Sequence, residues 1–185
     1  MSLLKSAKPA LELPTIDVKL FQAKDVQSVT DWEGVSLFLY RVTVSASRRQ
    51  MPQAIGPDGR PYKRPLPVDL YYLLTAWAKT AEMQHLILAW AMRAIEDAPS
   101  MPATLLNSHF PDVQPFRPDE TVEMLQDPLN VQDLNNIWEI LGKHNVQVSA
   151  CYVARLVPID SQLQEQPYGI PVQTRVVDSA QAEIS

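Results

Sequence analysis

"RPLPVDLYYLLTAWAK", Arg64 to Lys79, is the stretch whose reading decides the fold. Pro65 and Pro67 fix φ and push the residues before them out of the helical region. From Asp69 the chain can be read at period two. Asp69, Tyr71, Leu73, Thr75 and Trp77 then fall on one side, and Leu70, Tyr72, Leu74 and Ala76 on the other. Helix is the competing reading. The proline entry and the aromatic and leucine content favour a strand, because such side chains pack well on a pleated surface. Nothing in the stretch pairs an acid with a base or a nucleophile, so its aromatic content calls for a structural explanation.

Working outward, "VSLFLYRVTVSAS", Val35–Ser47, is apolar on both parities, with Leu37 and Leu39 on one side and Phe38, Tyr40, Val42 and Val44 on the other. A strand covered on both faces reads this way. Further upstream, Ile16, Val18 and Leu20 alternate with Asp17 and Lys19, the mark of a half-buried strand. Between the second and third strands runs a long connection, Arg48–Pro67, in which Pro57, Asp58 and Gly59 form a turn signal.

Downstream of Thr80 the period changes to 3.6. Thr80 is placed to cap a helix whose apolar face is Met83, Leu86, Ile87, Trp90, Ala94 and Ile95, ending before Pro99. A short helix is expected from Pro102 to Asn107 and a short strand at Val122 and Met124. Asn130 caps a second main helix with Leu134, Ile137, Trp138 and Leu141 on its stripe and Gly142 at its stop. The last strand, Val146–Asp160, has Val148, Ala150, Tyr152, Ala154 and Leu156 on its buried parity. The order β β β α (α) β α β predicts one α+β domain, an antiparallel or mixed sheet flanked by two main helices, over residues 1–160. Residues 161–185 read as an extended polar C-terminal tail in which "YGIPVQTRVV" is the one patterned piece.

Composition narrows the function. At 185 residues with 46% hydrophobic and 20% charged residues, the chain can bury one core and is neither disordered nor a membrane span in character. A net charge of −5 argues against a general nucleic-acid binder, which needs a basic excess. No run of about 18 apolar residues predicts membrane insertion. The lone cysteine, Cys151, excludes a disulfide framework within the chain and fits a reducing compartment, so the expected location is cytoplasmic. Sixteen prolines against five glycines predict stiff connections and make a phosphate-cradling loop hard to build.

Candidate chemistry is sparse. Glu82 and His85 stand at i, i+3 on a helix, but a two-metal bundle site needs a second such pair and further glutamates. His109 and His144 have no ligand partner at spacing, and mid-strand Cys151 reads as a buried, inert thiol. The expectation is therefore no enzyme, no cofactor and no metal site; a small-ligand- or metal-binding regulatory domain is the alternative reading. One surface feature stands out. Arg48, Arg49, Arg60, Lys63 and Arg64 lie in a single connection opposed only by Asp58. A solvated loop is the plain interpretation. The functional one is a positive arm that reaches an acidic neighbour and sets its orientation.

"VSLFLYRVTVSASRR", "RPLPVDLYYLLTAWAKTAEMQHLILAWAMRAIEDAPSMPATLL" and "IWEILGKHNVQVSACYVARLVPID", in this order and spacing, resemble the N-terminal domain of the cap proteins of phage-tail-like contractile injection systems. The resemblance covers most of Val35–Asp160. It implies a tail-terminator-like fold and a structural role: a ring of identical subunits, most naturally six, closing tube and sheath at the end distal to the baseplate. Sheath and inner tube proteins are the implied partners, with the tape-measure protein as a further candidate, and the particle would assemble in the cytoplasm. The five basic residues would then be interface residues.

Overall fold

The computed structural model describes residues 16–29, 31–46, 55, 59–108, 110, 114–142 and 146–165. In chain order the elements are β1 (Val18–Phe21), α1 (Ala23–Ser28), β2 (Gly34–Val44), β3 (Leu66–Trp77), α2 (Ala81–Asp97), β4 (Ser100–Pro102), α3 (Ala103–Asn107), β5 (Thr121–Gln126), α4 (Val131–Leu141) and β6 (Ser149–Ile159). Six strands form one sheet in the order β1-β2-β3-β6-β5-β4. It is mixed: β1 runs parallel to β2, and every other neighbouring pair is antiparallel. The α+β class and the two main helices agree with the sequence reading. Beyond it are α1 and the three-residue β4, each too short to show a period.

β3 sits near the middle, paired with both β2 and β6, and its alternation divides the core. Leu74 and Ala76 pack with Val35, Tyr152 and the α2 residues Ile87, Leu88 and Ala91. Leu73 and Trp77 pack with Cys151, Val26 of α1 and the α4 residues Trp138 and Leu141. A helix therefore covers each face. Burying a side chain of leucine or isoleucine size contributes about 1.5–3 kcal/mol, so these two clusters rather than helix propensity hold the layers together. The Trp77 indole N–H donates to Ser36 Oγ at 2.7 Å, satisfying the polar atom that this burial would otherwise strand.

The proline entry closes the strand from below. Pro67 stands opposite Pro158 on β6, so neither side has an N–H to offer the ladder at that point, while the Pro67 carbonyl accepts from Ser45 N at 2.9 Å.

Four expectations about faces need correction. β1 forms, but Val18 (54% exposed) and Leu20 (76%) look outward, because the strand lies at the sheet edge, where few residues cover it. The register of β2 against β3 shifts between Leu39 and Arg41. After that bulge Val42 and Val44 stand opposite Leu70 and Val68, on the side of Leu37 and Leu39 rather than of Phe38. The buried face of α2 is Gln84, Ile87, Leu88 and Ala91, with Trp90 and Ala94 exposed. Gln84 turns inward because its side-chain amide donates to the Ala76 carbonyl at 2.9 Å and also reaches Gln147. Finally, β6 starts at Ser149 and is buried on both parities from Cys151 to Ala154, with Val148 exposed.

Candidate assembly surface

β1 covers β2 only from Val35 to Phe38. Beyond it, from Leu39 to Val44, no described strand lies along the outer edge of β2. Leu39, Val42 and Val44 are 41%, 52% and 62% exposed there, forming an apolar strip on the α2 face of the sheet. Unpaired strand edges with apolar side chains are templates for a partner chain.

On the opposite face of this strip the bulge places Tyr40 and Arg41 together. The Arg41 guanidinium lies 3.7 Å from the centre of the Tyr71 ring and 6.0 Å from that of Tyr40, and the two rings are tilted by 56° at 6.2 Å. Asp127 joins the group, accepting from the Tyr40 hydroxyl at 3.4 Å and pairing with Arg41 at 3.7 Å. Arg41 remains half exposed. A planar cation held over an aromatic face and steered by a carboxylate has little freedom left to lose, which suits it to an interface. Sequence reading passed over Arg41, although a single charge inside a strand apolar on both parities was its available signal.

Beneath Tyr40 the geometry is inert. Burial, then the neighbouring Cys151 and Asp127, hold the Tyr40 hydroxyl well above its ordinary titration range. Burial first, and Asp127 second, push the Cys151 thiol up to about 11. A thiol kept protonated is a poor nucleophile. Glu82 and His85 are exposed on α2, and His109 and His144 lie outside the described residues. Among the described residues no group of three or more His, Cys, Asp or Glu side chains could hold a metal ion. No helix among them is long and apolar enough to cross a membrane. An open groove beside β1 and α1 is lined by Lys19, Phe21, Val29 and Trp32. Lys19 there is occupied, lying 4.8 Å over the Trp32 ring and 2.9 Å from Asp17.

Three of the five basic residues of the long connection are described. Arg60, Lys63 and Arg64 are all exposed, on the approach to β3; Arg48 and Arg49 lie outside the described residues. The approach meets the start of the C-terminal segment. Lys63 N donates to Leu163 O at 2.8 Å, Glu165 N to Pro61 O at 2.9 Å, and Arg60 reaches Gln164 at 3.5 Å. Connection and tail are thus tied together at their roots, extending the β3–β6 pairing beyond Leu66 and Ile159.

A family model described as the Pvc16 N-terminal domain matches residues 2–173. Among solved structures the chain is similar to the PVC sheath/tube terminator of an extracellular contractile injection system in its extended state. That likeness has 15% identity and a TM-score of 0.59 over 100% of this chain and 63% of the other. It is also similar to the anti-feeding prophage tube terminating cap, with 19% identity and a TM-score of 0.56 over 88% of this chain and 54% of that one. The chain therefore spans less than two thirds of either relative, and at these identities the likeness is one of fold. No curated protein matches it.

Proposed function

The chain belongs to the Pvc16 N-terminal domain family, and from that premise we propose that it is a structural terminator, the cap that closes tube and sheath of a contractile injection particle at the end distal to the baseplate. The observation that carries the reading is the family match over 2–173 together with a fold shared with two such terminators. The proposed work is shape: subunits join as a closed ring, with six copies matching the six-fold symmetry of the phage-like tube and sheath that the resemblance implies. Sheath and inner tube proteins are its partners, and assembly takes place in the cytoplasm. The role is not enzymatic, in keeping with a raised thiol at Cys151 and with relatives named as caps. Residues 1–160 serve as the terminator domain and 161–185 as an arm.

Deleting the gene tests this. Particles from the deletion strain should show open or irregular-length tubes by negative-stain microscopy, and restoring the gene in trans should return uniform capped ends. Uniform capped particles in the deletion strain would rule the role out.

A further inference from the structure

We infer that residues 161–165 are a strap: they pair with the approach to β3 and so hold its basic residues in one geometry, ready for an acidic surface on a neighbour in the particle. This rests on the terminator reading in one respect only, the capping readout below. The ladder of β3 and β6 reaches Leu66 and Ile159. Past it, Tyr62 stands opposite Gln164, Lys63 N donates to Leu163 O at 2.8 Å, and Glu165 N donates to Pro61 O at 2.9 Å. Strand geometry carries Tyr62 roughly 13 Å beyond Leu66. The approach is therefore one side of a ribbon, and Arg60, Lys63 and Arg64 are exposed along it.

The strap works through the main chain. Between Asp160 and Glu165 the segment is Ser, Gln, Leu and Gln, and Asp160 pairs with Arg117 instead. A cover meant to neutralise the cations would oppose them with carboxylates, whereas Lys63 is tied by its N–H to an uncharged stretch. What the pairing supplies is preorganisation. A loose connection must order on binding, while one already extended gives up less freedom on contact. The strap is also releasable. Leu163 is 61% exposed, and Pro61 and Pro65 have no N–H, so Lys63 carries a donor that its proline neighbours cannot replace. Short pairings with so little burial open without the core.

The test compares Glu165→Pro, which removes the N–H bonded to Pro61, with Glu165→Ala, which keeps it. Trypsin does not cut before proline, so Arg60–Pro61 and Arg64–Pro65 are closed to it and Lys63–Arg64 is the bond that reports release. In the free subunit Glu165→Pro should be cut there roughly tenfold faster than Glu165→Ala, the effect of one lost hydrogen bond. Equal rates overturn the strap, and so does an equal acceleration at Arg93–Ala94 in α2, which would mean that the whole domain has loosened. A second variant locks the pairing. Tyr62→Cys with Gln164→Cys in a Cys151→Ala background should close a disulfide within one chain, because these positions face each other across the ribbon. The oxidised protein should resist cleavage at Lys63–Arg64 and still give uniform capped tubes, whereas Glu165→Pro particles should cap irregularly. Failure of the disulfide to form, uncapped tubes with the locked protein, or uniform capping by a Glu165→Pro protein that is cut faster would each overturn the inference while leaving the terminator role standing.

Discussion

Asp69 Oδ1 accepts a hydrogen bond from the backbone N–H of Leu156 at 3.0 Å, and Leu156 has φ +60. Between Val68↔Val157 and Leu70↔Ala154, β3 supplies one residue where β6 supplies two, so Leu156 belongs to a bulge. Left-handed backbone costs roughly 1–2 kcal/mol at a residue with a Cβ, and the ladder there offers its N–H no partner on β3. The buried carboxylate supplies that partner. The acid in "PVDLYY" is therefore a fastener for the neighbouring strand, held in place by the strand that the prolines introduce.

Asp69→Ala should lower unfolding free energy by about 1–3 kcal/mol, the cost of stranding a part-buried N–H, while Asp69→Asn, which keeps an oxygen in place, should lose less than half of that. Urea denaturation of the three proteins measures the difference. Equal losses for the two variants would remove the bond to Leu156 from the account.

Gly34 is irreplaceable for a different reason. Its φ is +156, and a Cβ there would overlap the Asp17 carbonyl oxygen and lie 2.7 Å from Trp32 Cζ2. The backbone comes this close because Val35 N donates to Asp17 O at 2.9 Å, fastening the start of β1 to β2. Gly34→Ala should cost 2 kcal/mol or more, roughly, since both neighbours are fixed. Gly59→Ala meets nothing within 4 Å and should cost only its left-handed φ, about 1 kcal/mol. Thermal melts of the two variants should rank in that order.

Cys151 gives the fold a pH dependence. Its folded titration point lies at about 11 against an ordinary 9, chiefly through burial. The unfolded chain therefore loses the thiol proton first as pH rises. The neutral thiol's contribution to stability is complete below pH 9 and lost progressively between 9 and 11. Cys151→Ala should show a shallower decline of stability over that window. In the native protein at pH 8 the thiol should resist iodoacetamide and become reactive on unfolding.

Much of this architecture was legible because long elements state their period. β3, the cap at Thr80, the cap at Asn130 and the stripe Leu134, Ile137, Trp138 and Leu141 are local signals, and the structure keeps them. What sequence could not show depends on partners far along the chain. Val18 and Leu20 alternate as buried residues do, but whether anything covers an edge strand is a property of topology. The phase of β2 was misread after Tyr40 because a bulge costs one residue and leaves no compositional mark. Gln84 reads as a surface residue until the Ala76 carbonyl appears beside it. A cluster of basic residues can be seen in the sequence, whereas Arg41 over Tyr71 needed the cross-strand register.

Tyr152 is fully buried against the α2 layer, and among the described residues its hydroxyl has no hydrogen-bond partner. Removing an unsatisfied polar atom while keeping the ring should be neutral or stabilising. Tyr152→Phe is expected to match or exceed the parent in urea, while Tyr152→Ala should lose about 3–5 kcal/mol through the cavity. A clear loss for the phenylalanine variant would show that the hydroxyl is bonded after all.

The proposed interface residues make the last prediction. Lys63 and Arg64 are exposed on a segment anchored by backbone bonds, so their charges have little part in the fold. Arg48 and Arg49 belong to the same basic connection. Exposed charges contribute at most about 1 kcal/mol each to stability, and reversing them should leave the melting curve of the free subunit nearly unchanged. Association is another matter. With the connection positive and the chain net −5, head-to-tail contact brings opposite signs together, and charge of this kind governs encounter rate and orientation. Replacing Arg48, Arg49, Lys63 and Arg64 together with glutamate should yield particles with uncapped or irregular-length tubes, and raised salt should weaken capping by the parent protein in the same direction. A folded quadruple variant that caps uniformly would take the basic connection out of the interface.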